Sequence, residues 1–163
     1  MTVNTAAGTT IFIGTTAIPP NMVNLTDNYA LATFEADSYI EIGEVENLGE
    51  FGDQSEDVTF ASLADSRTRH YKGTRDAGVL PLTVGNDPEN EGQVAVVVAE
   101  GSPLDFNFKV VLNNASTLGG DGEVDYFYGK VMSKRKNVGD VNNVVRSNYS
   151  VGINSRIVEV PPT

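Results

Sequence analysis

Cysteine is absent from this chain. Disulfide staples and thiolate chemistry are therefore excluded, and the redox compartment leaves no mark on the composition. With no cysteine and one histidine, His70, a transition-metal cage is short of ligands. His70 sits among Arg69, Tyr71 and Lys72 on a short predicted strand, where a lone histidine reads as structural rather than catalytic. No Gly-x-Ser-x-Gly elbow and no Walker-type loop occurs. Carboxylates are plentiful, but close pairs arise by chance in so acidic a chain, and only a concave site would make them glycosidase-like. No catalytic residue is assigned, and the chain reads as a non-enzyme. Tryptophan is missing too, which removes the best stacking platform for sugars. The longest apolar run, Val94–Ala99, is far too short to cross a bilayer, so no membrane anchor is expected. No basic residue precedes an apolar run at the N-terminus, so no signal peptide is expected there.

Positive charge is scarce and unevenly placed. The formal net charge is −11, no Lys or Arg precedes Arg67, and ten acidic residues lie from Asp27 to Asp57. Such a surface repels phosphate backbones, which argues against tight nucleic-acid binding and against docking on anionic membranes. Lys134-Arg135-Lys136 is the one basic cluster. Contact with phosphates is one reading of it, but its place in a predicted hairpin loop fits a solvated turn or a subunit contact better.

The 163 residues suit a single domain spanning 1–163, large enough to bury about 70% of the unfolded surface. Residues 1–38 are rich in Thr, Ala and Asn, and only Ile11-Phe12-Ile13 and Tyr29–Phe34 have much to bury. They predict an extended arm that orders against something else. From residue 39 to 163 the pattern is that of strands. Ile40 and Ile42 alternate with polar neighbours; residues 44–57 predict a long connection or distorted hairpin; Val58–Leu63 and Arg67–Lys72 predict short strands around a turn near Asp65. A Gly-punctuated turn is expected directly after Lys72, at Gly73–Gly78, and Pro81 marks the next strand as an edge or an interruption.

The clearest strand is 104–112, with Leu104, Phe106, Phe108, Val110 and Leu112 on one face and Asp105, Asn107, Lys109 and Val111 on the other. In 123–133, Val124, Tyr126, Tyr128 and Met132 face together. In the last segment Val145, Tyr149, Val151, Ile153 and Ile157 face the core, while Arg146, Asn148, Ser150, Asn154 and Arg156 line the polar face. Pairing these two strands leaves Lys134–Asn143 as their loop.

One helix interrupts the strands. Asn86 or Asp87 as N-cap, Pro88 at the first helical position and Gly101 as the stop predict a helix over about 88–100. Glu89 and Glu91 suit its positive end. The valines of 94–98 argue for a strand instead, and the caps are given the greater weight. The expected fold is mainly β, an antiparallel sandwich or barrel with one flanking α-helix. Asp87–Glu91 and Asp121–Asp125 carry hard oxygen ligands of the kind calcium prefers, but neither keeps the EF-hand spacing. Helix capping accounts for the first and a loop-to-strand turn for the second, so no metal or cofactor is assigned.

Several pieces, taken in order, resemble the tail tube proteins of long-tailed, non-contractile bacteriophages. They are EIGEVENLGEFG from Glu41, VTFASLADS from Val58, YKGTRDAG with Lys72, Gly73, Asp76 and Gly78, and an Asp-Pro-x-x-Glu-Gly-Gln helix with Asp87, Pro88, Gly92 and Gln93. The resemblance covers residues 39–101 in motif and the remainder in strand pattern; residues 1–38 carry no matching motif. It implies a β-sandwich with a flanking helix, also found in type VI secretion tubes, and hexameric rings stacked into the hollow tube that delivers the genome. It also implies a virion protein assembled in the host cytoplasm, with further copies of itself, the tape measure protein and tail-end proteins as partners, and DNA passing without specific binding. On that reading Glu41, Glu44 and Glu46 are candidate lumen-facing acids. Lys134, Arg135, Lys136, Arg146 and Arg156 are candidate subunit contacts, the two arginines pairing with acids across a subunit boundary. The alternative is a monomeric β-sandwich recognition module, an adhesin or carbohydrate-binding domain.

Overall fold

The computed structural model describes residues 3–19 and 31–163. In chain order the elements are β1 (Thr10–Ile18), α1 (Leu31–Glu35), β2 (Tyr39–Ile42), β3 (Val45–Asn47), β4 (Gln54–Ala61), β5 (Thr68–Asp76) and β6 (Val79–Gly85). There follow α2 (Glu91–Glu100), β7 (Asp105–Val111), β8 (Val124–Asn137), β9 (Arg146–Ile153) and β10 (Val158–Val160). The fold is mainly β and antiparallel with a flanking helix, as the strand pattern and caps predict. One sheet runs β2-β1-β7-β8-β9-β6-β3, with β10 added to β8, while β4 and β5 form a separate two-stranded sheet.

The sheet path contains its own closure. β2 and β3 are its two ends, yet only Gly43 and Glu44 separate them in sequence. Three Cα steps span at most about 11 Å. The sheet therefore curls until its edges return to one another, leaving a seam between β2 and β3. Alternating residues fill the concave side: Ile11 and Ile13 of β1, Leu80, Leu82 and Val84 of β6, Phe108 and Val110 of β7, Phe127 of β8, Tyr149 and Val151 of β9. Phe108 and Phe127 stack with ring centroids 5.5 Å apart.

Helix α2 seals this interior with Val96 and Ala99, both fully buried. Its valines form a helix because capping and tertiary fit outweigh strand preference. Its start differs from expectation. Pro88 lies in a turn, and the N-cap is Asn90, whose side chain accepts from Gln93 N at 3.1 Å and from Gly43 N at 3.2 Å. Asp87 instead accepts from Glu89 N at 3.0 Å, so its acid shapes the turn that delivers the chain to Asn90. Gly101 does end the helix, but in right-handed geometry (φ −73°, ψ −10°), with Gly101 N donating to Val97 O.

The seam is closed by the second and third residues of the helix. Gln93 is buried; its Nε2 donates to Gly43 O at 3.1 Å and to Gly85 O at 2.9 Å, and its Oε1 accepts from Asp87 N at 3.0 Å. These partners fix which end of the amide is which. Gly92 lies against β2 so closely that a Cβ there would sit 2.1 Å from Glu41 O and 2.6 Å from Ile42 Cα.

The arm expectation is corrected for residues 10–18. β1 is an interior strand of the sheet, paired on both sides with β2 and β7, and Ile11 and Ile13 are core residues. Apolar residues at i and i+2 suffice for a strand when two neighbours bring the rest of the core. Residues 20–30, in the middle of the expected arm, lie outside the described residues. After them, α1 covers the outer face of the sheet. Phe34 packs on Tyr126 and Tyr128, joined by Ile18, in a second cluster.

This second layer explains further differences. Asp105 and Asn107, expected on a solvated face, are buried. Asp105 accepts from Lys130 Nζ at 3.2 Å and Asn154 Nδ2 at 2.8 Å, and Asn107 donates to Asp37 at 3.1 Å. Val124, Tyr126 and Tyr128 do share a face, that of the second cluster. Met132 leaves it at a register shift between Val131 and Ser133 and is exposed. β8 continues to Asn137, so Lys134-Arg135-Lys136 are strand residues opposite Tyr149, Asn148 and Ser147, not loop residues. β5 likewise runs through Gly73 to Asp76, and the expected turn shrinks to Ala77-Gly78, with Gly78 at φ 77°. β9 stops at Ile153, which places Asn154 and Arg156 in the bend beyond it.

Three substitutions test the seam, and a truncation tests the strand. Gly92→Ala should destabilise the protein by about 1–3 kcal/mol or more through overpacking, despite the ~1 kcal/mol that Ala gains over Gly in a helix. Gln93→Leu should cost roughly 1–3 kcal/mol for each buried group left unpaired, and Gln93→Glu at least as much because its carboxylate faces two carbonyls. Urea unfolding read by circular dichroism checks both; a neutral Gly92→Ala contradicts the close approach. Deleting residues 1–15 removes Ile11 and Ile13 from the core and should abolish cooperative unfolding, and a folded truncation contradicts the central place of β1.

Candidate assembly surface

Hairpin β4–β5 stands apart from the domain. Its strands pair with each other from Gln54↔Asp76 to Ala61↔Thr68, with a register shift between Ser55 and Asp57. Alternation sorts its side chains. Val58, Phe60, Arg69 and Tyr71 share one face, and Asp57, Thr59, His70 and Lys72 the other. No residue of either strand is buried; Val58, Phe60 and Tyr71 remain 48%, 57% and 53% exposed. Leu63 at the tip is wholly exposed.

The tip is nevertheless well built. Ser66 N donates to Ser62 O at 2.9 Å, Arg67 N to Asp65 Oδ1 at 3.2 Å, and Arg69 pairs with Asp65. The Arg67 backbone N–H, then the Arg69 guanidinium, hold the Asp65 carboxyl below its ordinary value. An isolated two-stranded hairpin is marginal in water. This one spends its turn chemistry on presenting Val58, Phe60, Leu63 and Tyr71, side chains that gain by being covered. At its root an acidic groove of about 830 Å³ includes Glu50, Asp53, Glu56 and Asp76 in its walls.

The residues singled out by sequence scatter over this framework. Glu41 is exposed on edge strand β2, and Glu44 occupies the seam with a left-handed backbone (φ 57°). Glu46 on β3 is ion-paired with Arg146 on β9. The ion pair gives Arg146 an acidic partner within its own chain. Arg156 is exposed beyond β9. Lys134 and Lys136 share one face of β8 and Arg135 takes the other, so the strand divides the basic cluster. His70 Nδ1 lies 2.9 Å from Asp57 on the exposed polar face of the hairpin. Of the motif residues, Lys72, Gly73 and Asp76 belong to the hairpin, Gly78 to the turn after it, and Asp87, Pro88, Gly92 and Gln93 to the seam.

Sequence reasoning missed the apolar hairpin face. Its signal was present in Val58 and Phe60, two apart and followed across the turn by Tyr71, but nothing in a pattern distinguishes a face packed on the domain from one left open. It also missed Gln93 as a staple.

No protein-family model matches the chain, and no curated protein matches its sequence. Solved structures do match its fold. A chain of the anti-feeding prophage baseplate is similar over 99% of this chain and 97% of its own, with a TM-score of 0.69 at 12% identity. The SPP1 tail tube is similar over 94% of this chain and 76% of its own, with a TM-score of 0.62 at 12% identity. The sheath/tube terminator of an extracellular contractile injection system, PVC, is similar over 98% of both chains, with a TM-score of 0.63 at 10% identity. The chain has the fold seen in components of phage tails and phage-like injection systems.

Proposed function

We propose that this chain is a structural tail protein whose copies form hexameric rings stacked into a hollow tube, the conduit for genome delivery. The β4–β5 hairpin carries the reading: a well-formed projection whose apolar face is left uncovered among the described residues suits a neighbouring copy. The likeness in fold to tail tube, baseplate and terminator chains supports a non-enzymatic role in a tail. The long-tailed, non-contractile type rests on the sequence motifs of residues 39–101. Tape measure and tail-end proteins are the further partners of such a tube, a virion component assembled in the host cytoplasm.

Charge supplies register. The acidic groove at the hairpin root complements an exposed basic side chain from one face of β8, Arg135 or Lys136, of another copy, where such contacts set orientation and encounter rate more than affinity. Glu41 and Glu44, exposed and without an ion pair among the described residues, are the acids left to face a lumen, since Glu46 is engaged by Arg146. A negative bore gives phosphates no fixed cation to grip, so a duplex slides.

Two measurements test this. Tubes are expected in negative-stain images of the purified protein at rising concentration. The triple variant Val58→Ser, Phe60→Ser, Tyr71→Ser should lose them while monomer stability moves by only about 0.5 kcal/mol, since all three side chains are exposed. Tubes formed unchanged by that variant overturn the hairpin's role, and a persistent monomer that binds glycans favours a recognition module. A map of the assembled tube should show a bore of negative potential; one dominated by unpaired Lys and Arg contradicts the sliding mechanism.

A further inference from the structure

Away from the hairpin face, the pairing of β10 with β8 brings three carboxylates together. Asp125 on β8 and Glu159 on β10 are directly opposite partners, and Glu123 precedes Asp125 by two on the same face. One carboxylate oxygen from each lies within 4.8 Å of the others. Like charges opposite one another on antiparallel strands repel. Turn formation accounts for none of this crowding, because Glu159 comes from a distant part of the chain.

Asp125 sharpens the point. It is 8% exposed, and its Oδ1 is buried with no hydrogen-bond partner among the described residues. Its neighbour across β7 is the core residue Val110. A buried carboxylate oxygen without a partner is costly. Burial first, then the charges of Glu123 and Glu159, push the acid up to about 6. Glu123 is held in place by Asn114, whose Nδ2 donates to Oε2 at 3.2 Å and whose Oδ1 accepts from Glu123 N at 2.7 Å. A cavity of about 430 Å³ opens beside the group, with Asp125 and Glu159 in its wall. Asp53 and Arg75 border the same cavity and pair with each other at 3.4 Å, so the nearby guanidinium already has a carboxylate partner.

We propose that Glu123, Asp125 and Glu159 form a divalent-cation site between β8 and β10, with calcium the best-fitting ion. All three ligands are hard oxygens, which suits calcium, magnesium or manganese over zinc. Calcium holds oxygens at about 2.3–2.6 Å, so two of its ligands lie up to ~5 Å apart, whereas magnesium at about 2.0–2.1 Å draws them closer. Water entering from the cavity completes the shell. The ion joins the three-residue strand β10 to β8 and thereby ties the C-terminal segment to the sheet. That segment already touches the loop before β8, where Thr163 N donates to Asp121 O at 2.9 Å.

The experiment is a titration of calcium chloride into the chelator-treated full chain, followed by calorimetry and by thermal unfolding. Saturable binding with a dissociation constant near 10⁻⁴–10⁻³ M, about that of sites with few protein ligands, and a rise in Tm with calcium are expected. Asp125→Asn and Glu159→Gln should each weaken binding at least about tenfold and suppress the rise. Glu100→Gln, at the end of α2, should leave both unchanged. Glu159 is exposed, so its variant carries the test even if Asp125→Asn disturbs the fold. Absence of binding up to ~10 mM calcium, well above the weakest range of such sites, overturns the proposal. So does a Tm rise that persists in both cluster variants.

Discussion

A single buried amide holds the sheet in its curled form. Gln93 bridges Gly43, at the end of β2, and Gly85, at the end of β6, while its carbonyl oxygen receives Asp87 N from the turn before the helix. Sheet edges that come together without pairing leave backbone groups that must be satisfied by something else. The helix provides that partner, and Gly92 provides the room for it to lie against β2. Because α2 is seated by these contacts, Val96 and Ala99 reach the interior, and the curled sheet gains a filled core. Capping, closure and core formation are thus one cooperative arrangement centred on Asn90, Gly92 and Gln93.

The hairpin follows a different logic. Its order is local, supplied by the turn at Ser62–Arg67 and by cross-strand pairs, and owes little to the domain. Surface apolar residues are ordinary when scattered. Val58, Phe60 and Tyr71 are instead gathered on one face of a projecting element, and Leu63 caps its end. A domain with a self-sufficient core can afford such a projection, which is why body and hairpin have separable roles in an assembling protein.

Three acids show how differently a carboxylate is accommodated. Asp105 is enclosed by Lys130 and Asn154, and its burial is matched by donors. Glu46 stays near the surface against Arg146. Asp125 Oδ1 has neither kind of partner among the described residues, and its neighbours within the cluster carry its own sign. Net charge alone does not distinguish these cases; only the placement of partners does.

The sequence by itself determined the elements whose signals are local. Alternation in 104–112 and from Val145 to Ile157 marked strands because side-chain direction repeats every two residues, and the stops around Val94–Ala99 marked a helix because caps satisfy its terminal groups. Its motifs also marked Asp87, Gly92 and Gln93, without revealing what they do. Tertiary structure decided the rest. It placed β1 inside the sheet, between β2 and β7, although residues 1–38 look poor in core-forming side chains, because a strand needs few of its own when its neighbours supply the others. It turned Lys134-Arg135-Lys136 from a loop into a strand, since β9 offers pairing for β8 as far as Asn137. It left the apolar face of β4–β5 open, and it set Glu159 opposite Asp125 across more than thirty residues of chain. Each of these outcomes depends on which strand becomes a neighbour, and that is a long-range choice that no local period encodes.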